Sequence, residues 1–172
     1  MEPSERRQPS KLAAAVAGLV AGGLGVGVAE LLAGVVPGAP SPILSIGALL
    51  ISLQPPGAKQ IVVDLFNTSD KVVLSVAVLL GALVLSVLLG LLERARAPWG
   101  RIGFVALGAL TLFAALRDPL FDRLLAVVAA VVATGISIWA LNGLLRLASP
   151  RPAATPRMLD FDRRRFLGTG AV

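Results

Sequence analysis

Residues 12–36 contain one charged side chain, Glu30, in twenty-five positions. As a helix rising 1.5 Å per residue this stretch is about 37 Å long, enough to cross the ~30 Å hydrocarbon core of a bilayer. Few features confine a fold more tightly, because in lipid every backbone N–H and C=O must find its partner within the protein. Three further apolar stretches follow, at 71–92, 99–116 and 124–147. The chain therefore reads as all-α and polytopic, with four transmembrane helices. Composition agrees: 56% of the 172 residues are hydrophobic and 15% are charged, against about a quarter charged in soluble domains. The first stretch exceeds the roughly 7–15 residues of a secretory signal core, so it reads as a retained span.

The segments between the spans are polar or broken by proline. Residues 1–10 form a basic amino-terminal tail with Arg6 and Arg7. Residues 37–70 form a long outer loop, in which Pro37, Pro40 and Pro42 end the first helix. Within it, 43–53 is apolar but too short to span, and is expected to lie in the interface or re-enter. After Pro55-Pro56-Gly57, residues 58–67 put Ile61, Val62, Leu65 and Phe66 on one face, the pattern of a short amphipathic helix. Thr68, Ser69 or Asp70 can cap the second span. Glu93, Arg94, Arg96, Pro98 and Trp99 form a basic turn, after which Arg101 is expected to snorkel to the headgroups. Arg117, Asp118, Asp122 and Arg123 read as a solvated connection with local ion pairs rather than a paired-carboxylate site. A linker, 148–162, precedes the final segment, 163–172.

Positive charge sets the orientation. With the amino terminus inside, twelve of the sixteen Lys and Arg residues fall on the cytoplasmic side, leaving Lys59, Lys71, Arg117 and Arg123 outside. Loops rich in Lys and Arg stay cytoplasmic, so both chain ends are expected there, in the cell membrane. Trp99 and Trp139 fall near the inner interface, where indole rings are favoured. The net charge of +6 is thus matched to an anionic inner leaflet, and no nucleic-acid partner is expected.

The chain contains no Cys and no His. That excludes thiolate ligation, a thiol nucleophile, bis-histidine haem and a Ser-His-Asp triad, so no catalytic, cofactor-binding or metal residue is assigned. Helix packing has clearer candidates. Gly18 and Gly22 form one GxxxG pair, Gly23 and Gly27 another, and Ala82, Ser86 and Gly90 repeat small residues on one face of the second span. Lipid supplies no hydrophobic drive between helices, so close backbone approach must hold a bundle together. The Gly23-x-Gly25-x-Gly27 run follows no strand and does not read as a nucleotide loop. Glu30 is the one candidate functional acid within an apolar stretch, since proton and quinone chemistry use such groups. The plainer reading puts it near the outer end of its helix, within reach of water, Lys59 or Lys71. Asn142 reads as an interhelical hydrogen bond.

The sequence ends on Asp162-Arg163-Arg164-Arg165-Phe166-Leu167-Gly168. Arg163, Arg164, Phe166 and Leu167 fit the twin-arginine export pattern, and Asp162 and Gly168 depart from it at less demanding places. An ordinary positive-inside cluster is the alternative. Residues 169–172 read as the start of a further hydrophobic segment, so the chain is expected to be the front of a longer protein.

Four spans followed by this motif resemble the membrane-embedded amino-terminal region of actinobacterial sulfite-oxidase-like, molybdopterin-dependent oxidoreductases. The resemblance rests on the order of Ala29-Glu30-Leu31, Ser41-Pro42-Ile43-Leu44, Leu65-Phe66-Asn67-Thr68-Ser69-Asp70-Lys71 and the final arginine cluster. It implies a membrane anchor whose helices insert by the general secretion (Sec) route before the twin-arginine machinery exports a folded domain. It implies molybdopterin only in a later domain; the family's molybdenum ligand is a Cys, and no position here matches it. The implied partners are the bilayer and the two translocation machineries, with an unknown redox partner. Actinobacterial Rieske proteins are similar in this handover but have two preceding spans. Two other readings stay open: a small self-contained subunit of a transporter or electron-transfer complex, and a structural protein binding a partner through its glycine faces.

Overall fold

The computed structural model of the chain describes residues 9–53, 70–118 and 121–149. These form five helices and, among the described residues, no strand: α1 (Lys11–Val35), α2 (Pro42–Leu53), α3 (Asp70–Ala95), α4 (Trp99–Leu116) and α5 (Arg123–Ala148). Four of them, all but α2, are long and apolar enough to cross a membrane. The protein is an all-α, multi-pass membrane protein. The amphipathic segment expected at 58–67 and the caps at Thr68 and Ser69 lie outside the described residues.

The four long helices pack antiparallel in a ring, α1 against α3 and α5, and α4 against the same two. The core is inverted relative to a soluble bundle. Buried positions are chiefly Ala, Gly and Ser, while Leu80, Val131 and Trp139 are 57%, 64% and 76% exposed. Small residues let backbones approach closely, and the large aliphatic side chains are left to face lipid. Larger side chains meet where Phe104 and Leu141 pack against Ala17, Ala21 and Ala140 in the half nearer the α1 amino terminus.

Local sequence explains the ends of the helices. Ser10 caps α1 by accepting from the Ala13 N–H at 3.1 Å. Asp122 caps α5 by accepting from Leu124 N–H at 2.7 Å. Each hydroxyl or carboxylate satisfies an N–H that has no partner within its own helix. After α1 the chain turns at Gly38, whose φ of +87° suits a residue without a Cβ. The Gly38 carbonyl accepts from Asp122 N–H at 3.1 Å, joining the α1–α2 and α4–α5 connections.

The short apolar stretch after the prolines re-enters the bundle. Helix α2 is 12 residues long, about 18 Å, and cannot span. It packs chiefly on α3 and α4 and less on α1, roofing the bundle at the end opposite the α1 amino terminus. At the other end, beside the α1 amino terminus, α3 runs to Ala95 rather than stopping near 92, because Glu93 is drawn into the bundle instead of sitting in a turn.

Candidate functional site

Glu30 performs a structural task that its surroundings in the sequence do not announce. Its carboxylate accepts from Ser41 Oγ, 2.8 Å from either oxygen, and from the Ile43 N–H at 2.9 Å. The start of α2 is then fully accounted for. Pro42 has no N–H, Ile43 donates to Glu30, Leu44 donates to Ser41 Oγ at 3.2 Å, and Ser45 donates to the Ser41 carbonyl at 2.9 Å. A negative group here also complements the positive end of the helix dipole. Among the described residues the partner of Glu30 is the amino terminus of α2; Lys59 and the Lys71 side chain, the other expected partners, lie outside the described residues.

Glu93 repeats the device at the other end of the bundle. It is buried, with 4% of its surface exposed. It accepts from the Arg101 backbone N–H at 3.1 Å, in the first turn of α4, and from Arg101 Nε at 2.7 Å. Arg101 Nε bends back to neutralise a carboxylate that burial would otherwise penalise, while 44% of the arginine side chain stays exposed at that end of the bundle. In both places a glutamate near the end of one helix caps the next.

The glycine faces divide. A methyl on Gly18 would run into the Ser86 carbonyl and reach the Gly90 Cα at 2.9 Å. Gly22 faces Ser86, and Gly90 faces Ala14 and Gly18, so α1 and α3 meet along this seam. Gly25 faces Ser137 and Ala133 of α5. Gly23 has only the Leu83 side chain near it, at 3.9 Å, and Gly27 has nothing within 4 Å. The second GxxxG pair takes no part in this packing, because Gly27 lies on the exposed side of α1. No hydrogen bond joins the half-buried Asn142 side chain to another described residue, contrary to expectation. Ala82 lines a cavity rather than the seam.

That cavity, of about 110 Å³, lies under α2 and is walled by all five helices. Its lining is small and apolar, with Gly25 and Ala29 from α1, Ala82 from α3 and Ala129 and Ala133 from α5. Phe104 closes it toward the amino-terminal end, and Ser45 and Ile46 of α2 form its roof. No charged residue lines it. In the sequence Ser45 has no assigned role and Ser41 figures only within the resemblance, although Ser41 directly before Pro42 is the pattern of a cap followed by a first-turn proline.

In the α4–α5 connection, Asp122 caps α5, and the Arg117 guanidinium lies over the Phe113 ring, 4.8 Å from its centroid. Arg163, Arg164, Phe166 and Leu167 lie outside the described residues, as does most of the linker 148–162. The chain matches no protein-family model, no curated protein and no solved structure.

Proposed function

We propose that the chain is the membrane anchor and targeting region of a larger, sulfite-oxidase-like, molybdopterin-dependent oxidoreductase. It sits in the cell membrane with its amino terminus in the cytoplasm, and Arg163-Arg164 is an internal signal for exporting a folded domain. The observation that supports this most is the even number of long helices. Arg94 Nε donates to the Pro9 carbonyl, so the end of α3 lies beside the start of α1. Helix α5 runs antiparallel to α1, with Leu141 against Ala17, and so returns to the same end. A chain leaving Ser149 thus starts from the side that carries Lys11, Arg94, Arg96 and Arg101. Twin-arginine machinery reads its signal on the cytoplasmic side, where the positive-inside rule puts that end.

The test replaces both arginines with lysine. Charge is kept, so the four spans insert as before, but the planar fork of donors on each guanidinium is lost. A folded reporter is joined after Val172 through a hydrophobic segment, and its side of the membrane is followed. Export by the wild type and retention by Arg163→Lys/Arg164→Lys is the expected result. Equal behaviour of the two would reduce the cluster to a topology determinant and remove the main support for the oxidoreductase reading.

A further inference from the structure

Five hydroxyl side chains line the cavity, those of Ser45, Ser86, Thr111, Thr134 and Ser137, and they treat their protons differently. Ser86 Oγ donates to the Ala82 carbonyl at 2.7 Å, Thr111 Oγ1 to Leu107 at 2.9 Å and Ser137 Oγ to Ala133 at 3.0 Å. Each of these three is spent on the backbone one turn back, the usual way a helix hides such a group from lipid. Thr134, half-buried, makes no such bond among the described residues, and neither does Ser45. Only 4% of Ser45 is exposed, its Oγ has no hydrogen-bond partner in the protein, and it lies in the roof of the cavity. A buried hydroxyl without a partner is costly in an apolar setting, so its proton is matched to something that enters.

The surroundings define that occupant. No charged residue lines the space, so an ion would be desolvated without compensation. Apart from the hydroxyls of Ser86, Thr111, Thr134 and Ser137 the remaining walls are apolar, with Gly and Ala prominent, which suits a hydrocarbon body. A volume of about 110 Å³ is close to that of an engineered apolar cavity of roughly 150 Å³ that holds benzene. The site therefore takes a moiety on the order of one six-membered ring, or a short stretch of acyl chain.

We propose that the cavity under α2 binds the carbonyl-bearing part of a neutral, membrane-dissolved molecule, with Ser45 Oγ donating to the carbonyl oxygen. Two sources share this chemistry: a ring ketone of a lipophilic quinone, and the ester carbonyl of a bilayer lipid. The cap from Glu30 holds the start of α2, and with it Ser45 one turn later, over the opening.

Thermal unfolding of the full chain in detergent, titrated with two pairs of probes, separates the outcomes. 1,4-Benzoquinone is paired with benzene, and methyl octanoate with octane; each hydrocarbon controls for partitioning into the micelle. Binding to the folded state raises the transition temperature saturably. At least one carbonyl probe should do so while its hydrocarbon twin does not, and Ser45→Ala should weaken that response roughly tenfold, the worth of one hydrogen bond. Saturation by the quinone alone assigns the site to a dissolved ring ketone, and by the ester alone to a lipid. Ala129→Leu fills the space but leaves the hydroxyl, and should abolish the response; it keeps the test decisive if Ser45→Ala does not fold. No saturable shift with either carbonyl probe overturns the proposal, as does an equal shift with the twins or an undiminished response in both variants.

Discussion

Ser41 Oγ lies 2.8 Å from each carboxylate oxygen of Glu30, across eleven residues of sequence and the turn at Gly38. A carboxylate at the end of a membrane helix is thereby committed to holding the next helix. Glu30→Ala removes the partner of the Ile43 N–H and should cost about 1–2 kcal/mol, the range for losing a helix cap. Glu30→Gln keeps an accepting oxygen and should cost less. Thermal unfolding in detergent followed by circular dichroism measures both, and an unchanged midpoint for Glu30→Ala would show the tie to be idle.

At the other end, Arg101 Nε pairs with Glu93 at 2.7 Å, the glutamate side chain being 2% exposed and the arginine 44%. Arg101→Ala leaves a buried carboxylate supported only by backbone, and should destabilise by roughly 1–3 kcal/mol. The exposed arginine favours the lower part of that range. Removing both side chains should cost less than the sum of the single losses, since the orphaned charge goes too. Strict additivity in a double-mutant cycle would contradict the pairing.

Gly18 and Gly27 provide a matched comparison within one helix. Gly18→Ala forces a Cβ onto the Ser86 carbonyl and Gly90, and overpacking of this kind costs about 1–3 kcal/mol. Gly27→Ala meets open space and should be neutral or raise stability by up to ~1 kcal/mol through helix propensity. Equal midpoints for the two variants would mean that α1 and α3 do not meet along this seam.

These contrasts also show what the sequence makes legible. Apolar length alone marks four spans, because a bilayer demands it, and the helices begin and end within three residues of the expected positions. Spacing of small residues points to α1 and α3, but it cannot tell the face of Gly18 and Gly22 from that of Gly23 and Gly27. The members of each pair are four apart, and which face meets a neighbour depends on the roll of the helix. The roles of Glu30 and Glu93 are hidden for another reason. Each partner stands beyond a proline-containing turn, so the contact exists only once the next helix is in place. Glu93, among three arginines, looks like part of a solvated turn until α4 folds back over it. The unpaired hydroxyl of Ser45 is likewise a property of the cavity, and nothing in the local sequence distinguishes it from Ser86 or Ser137.

Impermeant thiol labelling of single-cysteine variants in intact cells tests the central claim most directly. That claim is that the chain crosses the membrane four times and returns to the cytoplasm. The native chain has no Cys, so every signal reports the introduced site. Ala97→Cys, in the exposed turn between α3 and α4, and Ser149→Cys, at the end of α5, should label only after the membrane is permeabilised. Pro37→Cys, exposed in the connection after α1, should label in intact cells. Labelling at 97 or 149 from outside, or protection of 37, would contradict the four-span topology and with it the placement on which export depends.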